Sequence, residues 1–374
     1  MNTDRGVQQV VLQATPFCNI ECTYCYLPDR NRYKVMGTEV VDALADLLLS
    51  GCSDAEVLEL RWHAGEPLTA GIAFYEDAVS IITARLSGRY RIRHSVQTNG
   101  TLISSAWCRL FKEHSFRVGV SIDGPEEIHD RHRVTRGQKG SFRGAMRGIT
   151  CLREEDVPFD TISVVTPATL EQQDHFLDFL EATAPRSVGI NVEETEGSHR
   201  SASLATGGFE PALQRFFERL LGWEKRTGIP VREFSRVRRS IHGDGFGAVN
   251  DQAQPFGFIN VDVDGNLYTF SPELAGLTHP AYGSFSIGTV WTSWPELFAS
   301  ASLRAQVAAV GNGVERCERT CDYFSVCGGG APVNKLFENG TFDSAETAMC
   351  RCTVKYVTDV VVSDMEASSR RGGK

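Results

Sequence analysis

Six times before about residue 220, a short apolar segment is followed by an amphipathic helical stretch. The apolar segments are VQQVVLQA (7–14), EVLELRWH (56–63), YRIRHSVQ (90–97), RVGVSI (117–122), FDTISVV (159–165) and SVGINVE (187–193). Between them run EVVDALADLLL, FYEDAVSIITARL and SFRGAMRGITCLREE, with apolar residues at helical spacing. Strands that alternate with helices pair in parallel, because a parallel connection needs a crossover long enough to hold a helix. Eight such units close a barrel, so six predict an α/β fold with a partial (β/α)6 TIM-like barrel. Chemistry in parallel barrels gathers at the C-terminal strand ends. The unusual residues of this chain fall there: TPFCNIECTYCY after the first strand, HAGEP after the second, QTNG after the third, DGP after the fourth and EETEG after the sixth.

After about residue 230 the helical periodicity fades. A Gly-rich stretch (HGDGFGAVNDQAQPFGF) leads into a predicted hairpin, FINVDVDGNLYTF, turning at Asp264-Gly265. The expected organisation is a barrel over 1–230, a bridging segment over 231–250, a loosely folded cysteine-stapled domain over 251–360, and a tail over 361–374 that ends SSRRGGK.

Of 11 cysteines, three lie close together near the N-terminus and five lie between Cys317 and Cys352. The N-terminal sequence MNTDRGVQQV lacks the charged start and apolar core of a secretion signal, which points to the cytoplasm. Thiols there stay reduced, so grouped cysteines point to metal binding or catalysis rather than disulfides. The scattered Cys52, Cys108 and Cys151 read as small buried apolar residues. A net charge of −9 argues against nucleic acid as the main ligand, and no apolar run is long enough to span a bilayer. Four arginines between Arg232 and Arg239 read as a solvated helix face, with docking of an acidic peptide as the sharper alternative.

Cys18, Cys22 and Cys25 form C-x3-C-x2-C directly after the first strand. Three thiolates on so short a loop can hold three irons of a [4Fe–4S] cluster and leave the fourth without a protein ligand. Zinc is the competing occupant, but it requires a fourth ligand that no neighbouring residue obviously supplies. The motif C-x3-C-x-Y-C after the first strand of a partial barrel resembles the radical S-adenosylmethionine (radical SAM) superfamily. That resemblance implies that S-adenosyl-L-methionine binds the open iron and is cleaved reductively to a 5′-deoxyadenosyl radical, with flavodoxin or ferredoxin as reductant. It further implies roles in cofactor binding for Tyr24 over the adenine, for Gly65, Glu66 and Pro67 of the GEP motif, for Gln97 and Asn99 in QTNG, and for Ser121 and Asp123 in SIDGP. Arg133 is a candidate partner for the methionyl carboxylate, since a guanidinium fork suits that anion.

The second group, CERTCDYFSVCGGG followed by Cys350, resembles the SPASM extension of peptide-modifying radical SAM enzymes, which usually holds two auxiliary [4Fe–4S] clusters. Two of the cysteines expected on that pattern fall at Phe270 and Ala331. The chain is therefore expected to hold one auxiliary [4Fe–4S] cluster, on Cys317, Cys321, Cys327 and Cys350, with Cys352 as a spare. A zinc ribbon is the alternative.

Longer stretches, among them TPFCNIECTYCYLPDR, GVSIDGPEEIHDRHR and CDYFSVCGGGAPVNKLFENGTF, are similar to the GrrM group of SPASM maturases. The resemblance implies a ribosomally made precursor peptide as substrate and a three-residue cyclophane as product. In such a product an aromatic ring carbon is joined to the β-carbon of a residue two positions later. The ring proton needs a base, for which Glu193 and Glu194 are candidates; adjacent strand residues point to opposite faces, so only one can face the mouth. An anaerobic sulfatase maturase and, in another class, a zinc-stabilised binding protein without catalysis are the alternative readings. With the first strand beginning by about residue 7, no winged-helix peptide-recognition module is expected ahead of the barrel.

Overall fold

The computed structural model describes residues 7–51, 55–243 and 250–372. Six parallel strands, β1 (Gln9–Leu12), β2 (Val57–Trp62), β3 (Arg91–Thr98), β4 (Arg117–Ser121), β5 (Phe159–Val165) and β6 (Val188–Val192), pair in sequence order. All six expected strands are present; β5 has the expected bounds, β3 runs one residue further to Thr98, and the others are a few residues shorter. The helices between them include α1 (Thr38–Ser50), α2 (Ile72–Leu86), α3 (Ser105–Glu113), α4 (Phe142–Glu154) and α5 (Gln173–Thr183). In α1, Val40, Val41, Leu44, Ala45, Leu47 and Leu48 are buried, a stripe with the three-and-four spacing that lays one helix face on the sheet. Behind β2 and β3, an aromatic layer of Trp62, Tyr75, Trp107 and Phe116 meets mostly edge to face.

The C-terminal third differs from the expected loose domain. Its hairpin, β7 (Phe258–Val261) and β8 (Asn266–Thr269), joins the barrel sheet: β7 runs parallel to β1, with Val10 opposite Ile259, and β8 returns antiparallel. With β9 (Gly288–Thr289), the open nine-stranded sheet runs from β9 through β8 and β7 to β1 and on to β6. Gly265 occupies the hairpin turn at φ +81°, a conformation that favours glycine. One apolar core runs without a break from β1 and α1 into Phe270, Phe285 and Phe342, so the two regions share their interior. The expected boundary near residue 250 is a change of architecture and not of core.

A second core lies under α6 (Phe209–Thr227), α7 (Arg232–His242) and the C-terminal helix. Two further helices, α8 (Ala301–Thr320) and α9 (Pro332–Asn339), frame the second cysteine group. The C-terminal helix α10 (Tyr356–Gly372) occupies most of the segment expected as a tail; Val357 and Val361, one turn apart, are buried against α6, and that packing carries the helix onward. Cys108 is fully buried with its sulfur 3.8 Å from that of the half-buried Cys151. Cys52 lies outside the described residues. No helix among the described residues is long and apolar enough to cross a membrane.

Candidate functional site

The loop that carries Cys18, Cys22 and Cys25 leaves β1 at the barrel mouth and is held from outside by the 130–140 segment. Glu21 N donates to Val134 O at 2.6 Å and Thr23 N to His132 O at 2.9 Å. Arg136 Nε binds Cys18 O at 2.7 Å, and Arg30 Nη1 binds Cys22 O at 2.9 Å. These contacts fix the backbone and leave the sulfurs turned inward. Each thiol keeps some solvent access although it is surrounded by protein, as groups lining a recess do. Burial pushes the Cys18 thiol up to about 12, with help from Glu66, and the Cys22 thiol up to about 11, against the pull of Arg133. As thiolates the neighbours repel one another, so this donor set is suited to a cationic iron centre that removes the repulsion.

Around the loop the expected residues converge. Tyr24 Oη donates to Asp123, and Arg133 Nε lies 2.9 Å from Asp123 Oδ2, both side chains of this ion pair being buried. The Arg133 guanidinium also sits 5.5 Å from the centre of the Tyr24 ring, and its Nη1 is 3.9 Å from Cys22 Sγ. Asp123 Oδ1 accepts from Val164 N at 3.0 Å, which ties this cluster to the end of β5.

Glu66 is buried, and its carboxylate accepts from Thr98 Oγ1 at 2.6 Å, Asn99 N at 2.7 Å and Leu68 N at 3.1 Å. It clamps the ends of β2 and β3 together, while burial lifts its pKa to about 7. Gly65 stands at φ +64°, where an added Cβ would come within 2.3 Å of Thr15 O, so the GEP turn tolerates no side chain there. Pro67 opens a short 3-10 turn over Pro67–Ala70, and its carbonyl accepts from Tyr75 Oη. Asn99 Nδ2 reaches Asn19 Oδ1 at 2.8 Å and approaches Cys18 Sγ at 3.9 Å. Gln97 Nε2 donates to Ser121 Oγ at 2.9 Å across the mouth ends of β3 and β4.

The two candidate bases part company. Glu193 is buried and satisfied: His199 Nε2 lies 2.9 Å away, Ser203 N 3.1 Å and Ala202 N 3.3 Å, and Ser203 Oγ also donates. Burial would raise its pKa, but these bonds outweigh it and hold the group below the usual carboxylate range. Glu194 instead accepts from Asn334 of α9 and faces Glu196. Desolvation pushes Glu194, Glu196 and Glu273 upward; nearby acids add to this at Glu196 and Glu273, whereas hydrogen bonds with Glu196 and Asn334 oppose it at Glu194. Tyr26 adjoins the same acids and Cys25; its hydroxyl and Glu273 Oε2 have no partner among the described residues. Glu196 and Tyr26 stood inside quoted motifs, but only the fold brings them to Glu194. Glu273 carried no signal at all.

In the second group, Cys317 lies in the last turn of α8, Cys321 caps that helix, Cys327 ends the short turn Phe324–Cys327, and Cys350 arrives from a separate helical turn. Cys350 feels the charges of Cys327, Cys321 and Cys317, whereas Cys352 turns into the core under α6 and is fully buried. Phe270 is buried 6.4 Å from Phe342, which also meets Tyr282 and Phe285. Ala331 caps α9. Among the described residues no three His, Cys, Asp or Glu side chains are close enough together to hold a single metal ion.

Residues 12–180 match the model of the radical SAM superfamily. An uncharacterised protein of Synechocystis sp. is 37% identical over 369 residues, which span 96% of this chain and 92% of that one. The chain belongs to the radical SAM superfamily. This radical SAM enzyme is also similar to a serine-type anaerobic sulfatase-maturating enzyme of Bacteroides thetaiotaomicron, 36% identical over 51% of this chain and 48% of that one. A cysteine-type sulfatase-maturating enzyme of Clostridium novyi is 26% identical over 91% of this chain and 92% of its own length. The fold matches that of anSMEcpe with bound AdoMet (TM-score 0.79, 20% identity, 97% of this chain and 99% of that one). It also matches Streptococcus suis SuiB bound to precursor peptide SuiA (TM-score 0.58, 13% identity, 92% and 76%).

Proposed function

We propose that this radical SAM enzyme modifies a ribosomally made precursor peptide, joining an aromatic ring carbon to the β-carbon of a nearby residue as a three-residue cyclophane. The single observation that carries the reading is the packing of Phe270 and Ala331. Where the SPASM pattern asks for two more cysteines, one position fills an aromatic core and the other caps a helix. The remaining set, Cys317, Cys321, Cys327 and Cys350, suits one auxiliary [4Fe–4S] cluster, fewer than the resemblance implies for sulfatase maturases. A peptide substrate is supported by the solved neighbours, SuiB with SuiA and anSMEcpe with the Cp18Cys peptide.

Cys18, Cys22 and Cys25 would hold the first cluster, and Tyr24, Glu66, Gln97, Asn99, Ser121, Asp123 and Arg133 are the proposed S-adenosylmethionine contacts. Once bound, cluster and S-adenosylmethionine would supply a radical able to take a β-hydrogen from the peptide, and the auxiliary cluster would accept the one electron released when the ring regains aromaticity. Arg133, which pairs with Asp123 beside Cys22, is the proposed partner of the methionyl carboxylate. Glu66 keeps β2 and β3 in register beneath the contacts. Glu194, raised by burial where Glu193 is held low by its hydrogen bonds, is the proposed acceptor of the ring proton, with Asn334 orienting it.

The test is anaerobic reconstitution, iron and sulfide counting, and incubation with S-adenosylmethionine, dithionite and a candidate precursor. About eight irons per chain, 5′-deoxyadenosine, and a peptide lighter by a pair of hydrogens and crosslinked between ring and β-carbon support the proposal. Formylglycine formation on a sulfatase peptide with about twelve irons would replace it with the sulfatase-maturase reading, which the full-length likeness to the Clostridium novyi enzyme favours. Stoichiometric zinc without cleavage of S-adenosylmethionine would end both.

A further inference from the structure

Asn19 lies between Cys18 and Cys22, Thr101 lies just beyond the turn after β3, and the fold brings both onto Asn99. Thr101 N donates to Asn99 Oδ1 at 3.0 Å, and Thr101 Oγ1 donates to the same oxygen at 2.7 Å. Asn99 Nδ2 donates to Asn19 Oδ1 at 2.8 Å, and Asn19 Nδ2 donates to Thr101 Oγ1 at 2.8 Å. The three side chains close a ring in which every member both donates and accepts. A backbone N–H can only donate, so Thr101 N fixes the Asn99 oxygen on its own side and the nitrogen on the side of Cys18. Both lone pairs of Oδ1 and one hydrogen of Nδ2 are then in use. The second Nδ2 hydrogen remains, and the acceptor beside it is Cys18 Sγ, 3.9 Å from that nitrogen.

Helix α4 backs the ring. Its Gly144 and Gly148 are one turn apart and lie against the turn after β3. A Cβ on Gly144 would lie 3.1 Å from Thr101 Cγ2, and one on Gly148 would lie 2.0 Å from Gly100 O. The Thr101 methyl is thus seated on the helix, which leaves the hydroxyl for Asn19 and Asn99. Gly100 stands at φ +77°, and a Cβ there would come within 2.9 Å of Val120 Cγ1. Asn99 itself is buried, and its own N–H is held by Glu66 Oε2 at 2.7 Å. Main chain and side chain of Asn99 are both fixed by the protein alone.

Hydrogen bonds to sulfur are one lever by which a protein sets the potential of an iron–sulfur cluster. Reduction adds negative charge, so a fixed N–H donor favours the reduced form. We propose that Asn99 donates to Cys18 Sγ and raises the reduction potential of the first cluster, with Asn19 and Thr101 as the positioning residues that hold its amide. This rests on the reading that Cys18, Cys22 and Cys25 carry that cluster. The ring is needed because an amide free to turn would exchange the sulfur for water.

The test is a redox titration of the full reconstituted chain, followed by electron paramagnetic resonance and read on the signal that changes when S-adenosylmethionine is added. That response marks the cluster with the open iron, so the second cysteine group stays unaltered. If no signal of the parent responds, the first-cluster reading fails, and this inference with it. Given a responsive signal, Asn99→Ala should move its midpoint by about 59 mV to the negative, the one-electron equivalent of a tenfold shift. Thr101→Val keeps the shape and removes the hydroxyl; its midpoint should move the same way by a smaller amount, and Thr101→Ser should restore the parent value. An unchanged midpoint in either Asn99→Ala or Thr101→Val overturns the inference while leaving the cluster standing. Weaker binding of S-adenosylmethionine at an unchanged midpoint also overturns it, and makes Asn99 a cofactor contact alone. Should Asn99→Ala fail to fold, Thr101→Val and its rescue by Thr101→Ser decide the matter.

Discussion

The two cysteine groups are built in opposite ways. The first comes from one loop of eight residues, Cys18 to Cys25, clamped from outside by backbone bonds to the 130–140 segment. The second is collected from the end of α8, the turn before Gly328, and a helical stretch that returns at Cys350. A loop can be read as a motif because its geometry is local. An assembly from separate elements exists only once the core beneath it has packed. The first group also opens into a recess ringed by polar mouth residues, whereas the second is walled by helices.

The sharpest way to break this comparison is to remove the first group alone. Changing Cys18, Cys22 and Cys25 to Ala is expected to abolish 5′-deoxyadenosine formation completely and to leave about four irons per chain. Loss of all iron would mean that the second group does not fold independently of the first. Glu194→Gln should act later: product formation falls by roughly 10²–10⁴, the span of a lost general base, while cleavage of S-adenosylmethionine persists. Equal loss of both activities would assign Glu194 to cofactor binding instead. Phe270→Ala probes the shared core, and a buried Phe truncated to Ala costs about 3–5 kcal/mol. Denaturant unfolding should report that loss as a single transition, because β7 and β8 belong to the barrel sheet; two separated transitions would restore independent domains.

Legibility followed the same division. Strand–helix alternation disclosed β1 to β6, and the mouth motifs fell at their C-terminal ends because side chains there have no other sheet to cover. The pairing of β7 with β1 was hidden, since a hairpin of alternating residues does not say which sheet edge it will join. The helix α10 was hidden by its polar end, where the buried Val357 and Val361 are too few to make a stripe. Glu66 was recognised by its motif, but its bonds to Thr98 and Asn99 depend on strands 33 residues apart along the chain. Cys350 and Cys352 are separated by a single residue, and only the turn of their helix decides that one faces the other thiols and its neighbour the core.

The smallest effect expected concerns Glu193, and it separates an anchoring acid from a reacting one. Its carboxylate receives bonds from Ser203, Ala202 and His199 that close the 193–203 loop over the barrel rim. Those bonds hold its folded pKa below the ordinary value, so the folded state binds fewer protons than the unfolded chain across that interval. Stability from Glu193 is therefore present above the ordinary carboxylate range and is lost as pH falls through the depressed folded value. Glu193→Gln should cost about 1–3 kcal/mol at neutral pH, the cost of disrupting buried hydrogen bonds to a charged group, and progressively less on acidification. Urea unfolding of the parent and Glu193→Gln between pH 7 and pH 4 measures this directly. A difference that persists unchanged at pH 4 would mean that shape, not charge, is what Glu193 contributes. A large loss of product at unchanged stability would instead move Glu193 from the rim into the chemistry beside Glu194.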